Sequence, residues 1–209
     1  MPTVLVLNSS AAGDASVSKS LVQDAVSRLR AQDPDLWVVT RDLGEEPIPH
    51  LTRDAAASLR GAEPANDAQA TALALSNELV AEIKDADTIV IGAPMYNFCI
   101  PSTLKAWFDY VLRAGVTFRY TEAGPEGLIK GKRAIVVLSR GGLYSEGPAQ
   151  ALDSQEPHLR TLLGFMGITD IAFVRAEKLG YGPDARNQAI GAAQAELGRV
   201  AEGALLRAA

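Results

Sequence analysis

A single cysteine, Cys99, stands in 209 residues. No internal disulfide can form, so burial and hydrogen bonding must hold the fold. Histidine is nearly absent too. His50 and His158 are the only two, and neither stands at a metal-ligand spacing from the other or from Cys99, which argues against a metal enzyme. No apolar run approaches the roughly 20 residues of a membrane span. Lys and Arg together number 20 against 25 Asp and Glu, a net charge of −5 with no dense basic run. Sequence-independent binding to nucleic acid needs a cationic surface and is not expected. Met1 to Ser10 has no basic n-region and only a five-residue strand-like run, so it does not read as a signal peptide, and the cytoplasm is the expected location. The G-x-G-x-x-G dinucleotide fingerprint, the Gly-Lys-Ser/Thr of triphosphate loops and the G-x-S-x-G of serine hydrolases are all missing. Asn8-Ser9-Ser10 lacks the acidic cluster that a response-regulator receiver needs after its first strand.

What the chain has is a core. Apolar residues make up 47% and charged residues 22%, enough for one globular domain over residues 1–209. Thr3 to Leu7 is an unbroken apolar run without polar alternation, the pattern of a central parallel strand. Leu36 to Arg41, Thr88 to Ile91, Ala134 to Leu138 and Ile168 to Arg175 read as four more strands. Gly92 and Pro94 are expected to stop the third. Helical periods follow: Leu21, Val22, Ala25, Val26 and Leu29 share one face, and Ala72, Leu75, Leu79 and Ile83 another. Leu51 to Arg60 reads as a short helix ended by Gly61, with Asn66 or Asp67 capping the next. Leu104, Trp107, Phe108, Val111 and Leu112 form a stripe, with Ser102 as expected N-cap and Gly115 as terminator. Val116 to Thr121 alternates and precedes Gly124-Pro125-Glu126-Gly127, a turn signal suggesting a small hairpin outside the sheet. Ala149 to Met166 reads as helix broken near Pro157. A final helix, Arg186 to Arg207, turns Ile190, Ala193, Leu197, Val200 and Ala204 inward. Five strands alternating with helices predict a doubly wound three-layer α/β sandwich, with a parallel sheet of order 2-1-3-4-5.

Three loops then meet at the carboxyl edge of neighbouring strands. Asn8 to Ser18 is rich in hydroxyls and feeds a helix N-terminus, whose free N–H groups and dipole favour an anion. Ser10, Ser16 and Ser18 add donors. Without a lysine of the triphosphate type, a monophosphate suits it; the alternative is that the serines simply cap the helix. Pro94 to Phe98 offers two aromatic rings, a thioether and an amide, a platform for a flat, partly polar ring system. Ser139-Arg140-Gly141-Gly142 lets the backbone approach a ligand closely, although alone it also reads as a plain turn. Together they fit a mononucleotide with a large planar base, and flavin mononucleotide (FMN) is the natural candidate.

Longer stretches carry a family resemblance. Ala93-Pro-Met-Tyr-Asn-Phe98, Ala114-Gly-Val-Thr-Phe-Arg-Tyr-Thr121, Gly124-Pro-Glu-Gly127, Ser139-Arg-Gly-Gly142, Leu163-Gly-Phe165 and Gly167-Ile-Thr-Asp170 resemble the bacterial FMN-dependent NADH:quinone oxidoreductase and azoreductase family, essentially end to end. The resemblance implies a flavodoxin-like fold, a homodimer, and FMN without a metal. It implies that Ser10, Ser16, Val17 and Ser18 bind the FMN phosphate. Met95, Tyr96, Asn97 and Phe98 would line the isoalloxazine and ribityl chain, and Ser139, Arg140, Gly141 and Gly142 would close on the far edge of the ring. Phe118, Tyr120 and Phe165 would reach over the partner subunit's site. Apart from the resemblance, the stretch from Glu45 to Asn66, Arg60 included, is expected to shape the entrance and set the range of acceptors. Cys99 is expected to pack rather than react.

In such an enzyme the flavin carries the chemistry and the protein orients it. A ping-pong order is expected: NADH or NADPH donates and leaves, then a quinone or an azo compound accepts at the same place. No side chain is expected as an obligatory acid or base. The competing expectation is a flavodoxin-type electron carrier with the same fold and FMN but no turnover of NADH.

Overall fold

The computed structural model describes the backbone of residues 1–208 and the side chains of residues 1–201. Three strands form the centre of its main sheet: β1 (Thr3–Asn8), β3 (Thr88–Pro94) and β6 (Arg133–Ser139). Every residue in them except the first is buried, as continuous β-branched runs without polar alternation require. β2 (Trp37–Asp42) and β7 (Asp170–Ala176) close the edges and are only partly covered. All neighbours pair in parallel, in the order β2-β1-β3-β6-β7. That is the expected 2-1-3-4-5, with the hairpin left out of the count.

Side chains alternate between two faces. Val4 and Val6 of β1 point with Val90, Ile135 and Val137 toward α1 (Val17–Gln32) and α6 (Pro183–Ala208), meeting Leu21, Val22, Ala193 and Leu197. Ile190 and Val200 pack against that cluster half-buried; Ala204 lies outside the residues whose side chains are described. Leu5 and Leu7 point the other way with Ile89 and Ile91. There they meet α3 (Asp67–Asp85), α4 (Ser102–Val111) and α5 (Glu156–Met166), with α2 (Arg53–Ser58) at the margin. Trp107 and Phe108 pack edge to face at 5.0 Å in the middle of this layer. Each fully buried side chain of that size stabilises the fold by roughly 1.5–3 kcal/mol. Helix starts follow local chemistry: Ser16, Thr52 and Asn66 each accept a backbone N–H three residues on. Among the described residues no helix is long and apolar enough to cross a membrane.

Several boundaries differ from expectation, each for a local reason. β3 does not stop at Ile91 but runs through Gly92 to Pro94. Gly92 accepts from Ser9 N on the β1 side, and Met95 N bonds Ser139 on the β6 side. By alternation the missing Pro94 N–H falls on the β1 side, beyond the end of that strand, and costs no ladder bond. Ser102 is the first helical residue of α4, not its cap; Pro101 precedes it without a side-chain cap. α4 ends at Val111, before Gly115. Pro157 lies in the first turn of α5, just after Glu156, rather than breaking a longer helix, because a proline there lacks only an N–H that has no helical partner. Asp153 Oδ1 accepts Gln155 N and Glu156 N there, and Pro148–Leu152 is a separate 3-10 turn.

The hairpin is present, but its turn lies one step earlier. β4 (Phe118–Thr121) pairs antiparallel with β5 (Gly124–Gly127), so the glycine-flanked stretch is a strand and Glu122-Ala123 turns the chain. An edge strand tolerates Pro125, which faces Tyr120. Gly127 is fixed by contact: a Cβ there would fall 2.1 Å from Gly167 N. Ile129 N also donates to Met166 O at 2.8 Å, so the hairpin is seated on the end of α5.

Candidate active site

The loop after β1 is tied down at once. Ser9 donates through both N and Oγ to Gly92 O, at 3.2 and 2.7 Å. Ser10 is buried and its Oγ accepts Ala12 N at 3.2 Å. Behind it the turn after β2 presses so closely that a Cβ on Gly44 would lie 2.1 Å from Ser10 O, so only glycine fits. Ser16, Val17 and Ser18 are the N-cap and first two residues of α1. Ser16 Oγ sits 3.1 Å from Ser18 Oγ and accepts Lys19 N. Among the described residues the Val17 and Ser18 N–H groups have no protein acceptor, the condition for an anion at a helix start. Lys19 Nζ is held by Asp42 at 2.9 Å and Glu45 at 3.1 Å. Hydrogen bonds to these two carboxylates raise its pKa despite some desolvation, and they account for its charge.

The loop after β3 is a tight turn. Tyr96 and Cys99 exchange two backbone hydrogen bonds, at 3.0 and 3.1 Å. Between them Asn97 and Phe98 both have positive φ, +48° and +71°, the geometry of a two-residue primed turn. Asn accepts this conformation readily, whereas Phe is strained by on the order of 1–3 kcal/mol. The turn leaves Tyr96 and Phe98 39% and 46% exposed as whole residues. Tyr96 Oη takes the Ala11 N–H at 3.0 Å and lies 3.4 Å from Ser10 Oγ, so the ring platform is fastened to the hydroxyl-rich loop. Phe98 meets the Tyr144 ring edge-on at 6.1 Å, and Phe98 O accepts Ser154 N. Cys99 Sγ lies 3.6 Å from Ser154 O and packs.

The loop after β6 completes the cluster. Ser139 O accepts Met95 N at 2.9 Å. The carbonyls of Gly141 and Gly142 accept Gly180 N and Lys178 N, while their own N–H groups have no protein acceptor among the described residues. A Cβ on Gly141 would meet nothing within 4 Å, so open space lies beside that backbone. The Arg140 side chain turns the other way: it is 0% exposed, with Asp153 at 2.9 Å and Glu177 at 3.1 Å. Burial works against the charge of Glu177, but hydrogen bonds from Ser145, Tyr144 N and Arg140 outweigh it and lower its pKa.

The three loops thus bond directly to one another, through Ser9–Gly92, Ala11–Tyr96 and Met95–Ser139. Tyr144, Glu177, Gln155 and Gly44 belong to the same assembly and carry no local sequence signal; only the fold brings them in. Arg60, Phe118 and Tyr120 gather elsewhere, lining a cavity of about 310 Å³ with Leu51, Leu59 and Leu112. Phe165 packs on Phe118 at 4.6 Å between ring centroids, and Tyr120 is 73% exposed. None of the residues of the three loops lines that cavity. Among the described residues no group of three or more His, Cys, Asp or Glu could hold a metal ion.

A parallel sheet of this order, with three loops bonded together at its switch point, defines a flavodoxin-like protein, and the flavodoxin-like fold family matches residues 2–200. An FMN-dependent NADH:quinone oxidoreductase of Hyphomonas neptunium is 55% identical over 202 residues, covering 97% of each chain. Among solved structures, an azoreductase of Bacillus anthracis superposes with a TM-score of 0.88 at 31% identity, covering 96% of this chain and 99% of the other. An FMN-dependent NADH-azoreductase of the same species, solved in complex with FMN, gives 0.87 at 25% identity, covering 97% of this chain and 98% of the other. The chain belongs to the family of FMN-dependent NADH:quinone oxidoreductases.

Proposed function

We propose that this chain is a single-domain cytoplasmic FMN enzyme that passes electron pairs from NADH or NADPH to quinones and splits aromatic azo compounds reductively to amines, in ping-pong order. One observation supports it above the others: three loops, joined by direct hydrogen bonds at the carboxyl edge of the sheet, leave the N–H groups of Val17, Ser18, Gly141 and Gly142 without protein acceptors among the described residues. FMN fits these residues. Its phosphate would take the Val17 and Ser18 amides with the Ser10, Ser16 and Ser18 hydroxyls. Met95, Tyr96, Asn97 and Phe98 would hold the ring system and ribityl chain, and the open space beside Gly141 admits a ring edge. When bound, FMN supplies the acceptance and release of electron pairs that no side chain can perform.

The residues then have separable tasks. Tyr96 and Phe98 present apolar surface for stacking and exclude water from one side. Asn97, held in its left-handed conformation, offers an amide to the ring edge. The Gly141 and Gly142 N–H groups, free of protein acceptors, would donate to the negative charge that a flavin gains on reduction, as preorganised donors do in an oxyanion hole. Ser139 holds its loop against Met95 through its carbonyl. In a homodimer, Phe118, Tyr120, Phe165 and Arg60 of one subunit would cover the crevice of the other and receive a flat aromatic acceptor. The separation of their cavity from the same chain's loops supports that arrangement. Steady-state oxidation of NADH with a benzoquinone, with and without added FMN, tests the reading. FMN-dependent, quinone-dependent turnover is expected. Uptake of FMN without any oxidation of NADH would favour a flavodoxin-type carrier instead.

A further inference from the structure

Arg140 sits in the motif that closes on the ligand, yet its side chain is completely buried and cannot touch a molecule in the crevice. Its guanidinium contacts two segments directly, Asp153–Glu156 and Glu177, and reaches two more through them, Ala93 and Tyr144–Ser145. Nε donates to Gln155 Oε1 at 2.9 Å, and Gln155 Nε2 donates to Ala93 O at 2.9 Å, two residues before Met95. Nη1 donates to Glu177 Oε1 at 3.1 Å. The same oxygen accepts the backbone N–H groups of Tyr144 at 2.8 Å and Ser145 at 3.0 Å. Nη2 lies 2.9 Å from Asp153 Oδ2; the contact is electrostatic, since the N–H is not aligned with that oxygen. Glu156 stands 3.8 Å away and is itself paired with Arg175 and Arg160.

From this arrangement we infer that Arg140 is a positioning residue: it fixes the aim of the Gly141 and Gly142 N–H groups and sets the charge behind the crevice, so that the reduced, more negative form of FMN is held more tightly than the oxidised form. The inference rests on the FMN reading above. The backbone of Arg140 is already pinned to Ala176 and Leu179; the guanidinium adds anchors on both sides of the glycine pair. The charges also balance, three against three. Arg140, Arg160 and Arg175 stand against Asp153, Glu156 and Glu177, and Arg140 is the buried member. Replacing it with a neutral residue leaves one uncompensated negative charge in a medium where charges are poorly screened. Neutralising Glu177 leaves one positive charge in its place. The carboxylate is ionised in the folded protein, in keeping with its lowered pKa.

The test is the two-electron midpoint potential of FMN bound to wild type, Arg140→Gln, Arg140→Lys and Glu177→Gln, with thermal denaturation of each. Arg140→Gln is expected to lose about tenfold in preference for reduced over oxidised FMN, a fall of about 30 mV for a two-electron couple. Arg140→Lys is expected to fall less. Glu177→Gln keeps an oxygen acceptor for Tyr144 and Ser145 and is expected to shift the potential upward. A purely scaffolding role would loosen FMN in both variants without opposite shifts. Potentials that stay put or move together overturn the inference. If Arg140→Gln does not fold, the direction of the shift in Glu177→Gln decides alone. A wild type that takes up no FMN would overturn the functional reading, and this inference with it. A wild type that binds FMN beside variants with unmoved potentials overturns the inference alone.

Discussion

Replacing Gly141 with alanine separates what the fold needs from what a ligand needs. Within the protein the added methyl meets nothing within 4 Å, and the Gly141 φ is not among the positive ones, so alanine can adopt its conformation. The protein without cofactor should therefore be as stable as wild type, or gain about 0.4–1 kcal/mol because the unfolded chain has less freedom to lose. With a ring edge lying against that backbone, the same methyl overpacks the contact, which costs typically about 1–3 kcal/mol. At 1.4 kcal/mol per tenfold, FMN affinity should fall roughly 5- to 150-fold. Thermal denaturation measures the first quantity, and quenching of flavin fluorescence on binding measures the second. Lost stability without FMN would mean that the space beside Gly141 is filled by the protein. Unchanged FMN affinity would mean that no ring approaches this loop, and the proposed orientation of the cofactor would fall.

Other substitutions probe the rest of the assembly. Tyr96→Phe removes the hydroxyl that takes the Ala11 N–H; at about 0.5–1.5 kcal/mol for a net hydrogen bond, FMN should bind roughly two- to tenfold more weakly in the same fluorescence titration. Gly127→Ala forces a methyl to within 2.1 Å of Gly167 N. It should destabilise the fold by about 1–3 kcal/mol, or roughly 2–12 °C in Tm at this chain length, and should raise the KM for quinone more than the Kd for FMN. Glu177 and Glu156 have pKa values below the ordinary 4.5 despite burial, because of hydrogen bonds and arginine neighbours. A depressed folded value adds stability that is complete above the unfolded value and is lost as pH falls through the folded one. Wild type should thus lose Tm more steeply than Glu177→Gln on acidification below about pH 4.5, and parallel curves would contradict this.

The parallel sheet was legible because β1, β3 and β6 are buried on both faces, a burial that only unbroken apolar runs allow. The meeting of the three loops followed from strand order, since strands adjacent at the switch point bring their carboxyl ends together. Less legible were features set by contact over distance. Gly124 to Gly127 carries the composition of a turn yet forms β5, because pairing with Phe118 to Thr121 and seating on Gly167 outweigh local preference. Pro157 reads as a breaker but serves as a helix start, a distinction fixed by Asp153 just ahead of it. The Asn97-Phe98 turn needs positive φ at a phenylalanine, which no propensity would assign. Arg140 within Ser139-Arg-Gly-Gly142 looks like a ligand contact from its neighbours in the chain. Its direction is decided by Gln155 and Glu177, fifteen and thirty-seven positions away.

The central claim is that the crevice framed by Ser10, Tyr96 and Gly141 holds FMN and that the loaded protein oxidises NADH at the expense of a quinone. Protein stripped of small molecules, incubated with FMN and freed of excess by gel filtration, should retain about one flavin per chain and consume NADH only when a benzoquinone is present. Protein that emerges colourless from excess FMN and leaves NADH untouched would contradict the account.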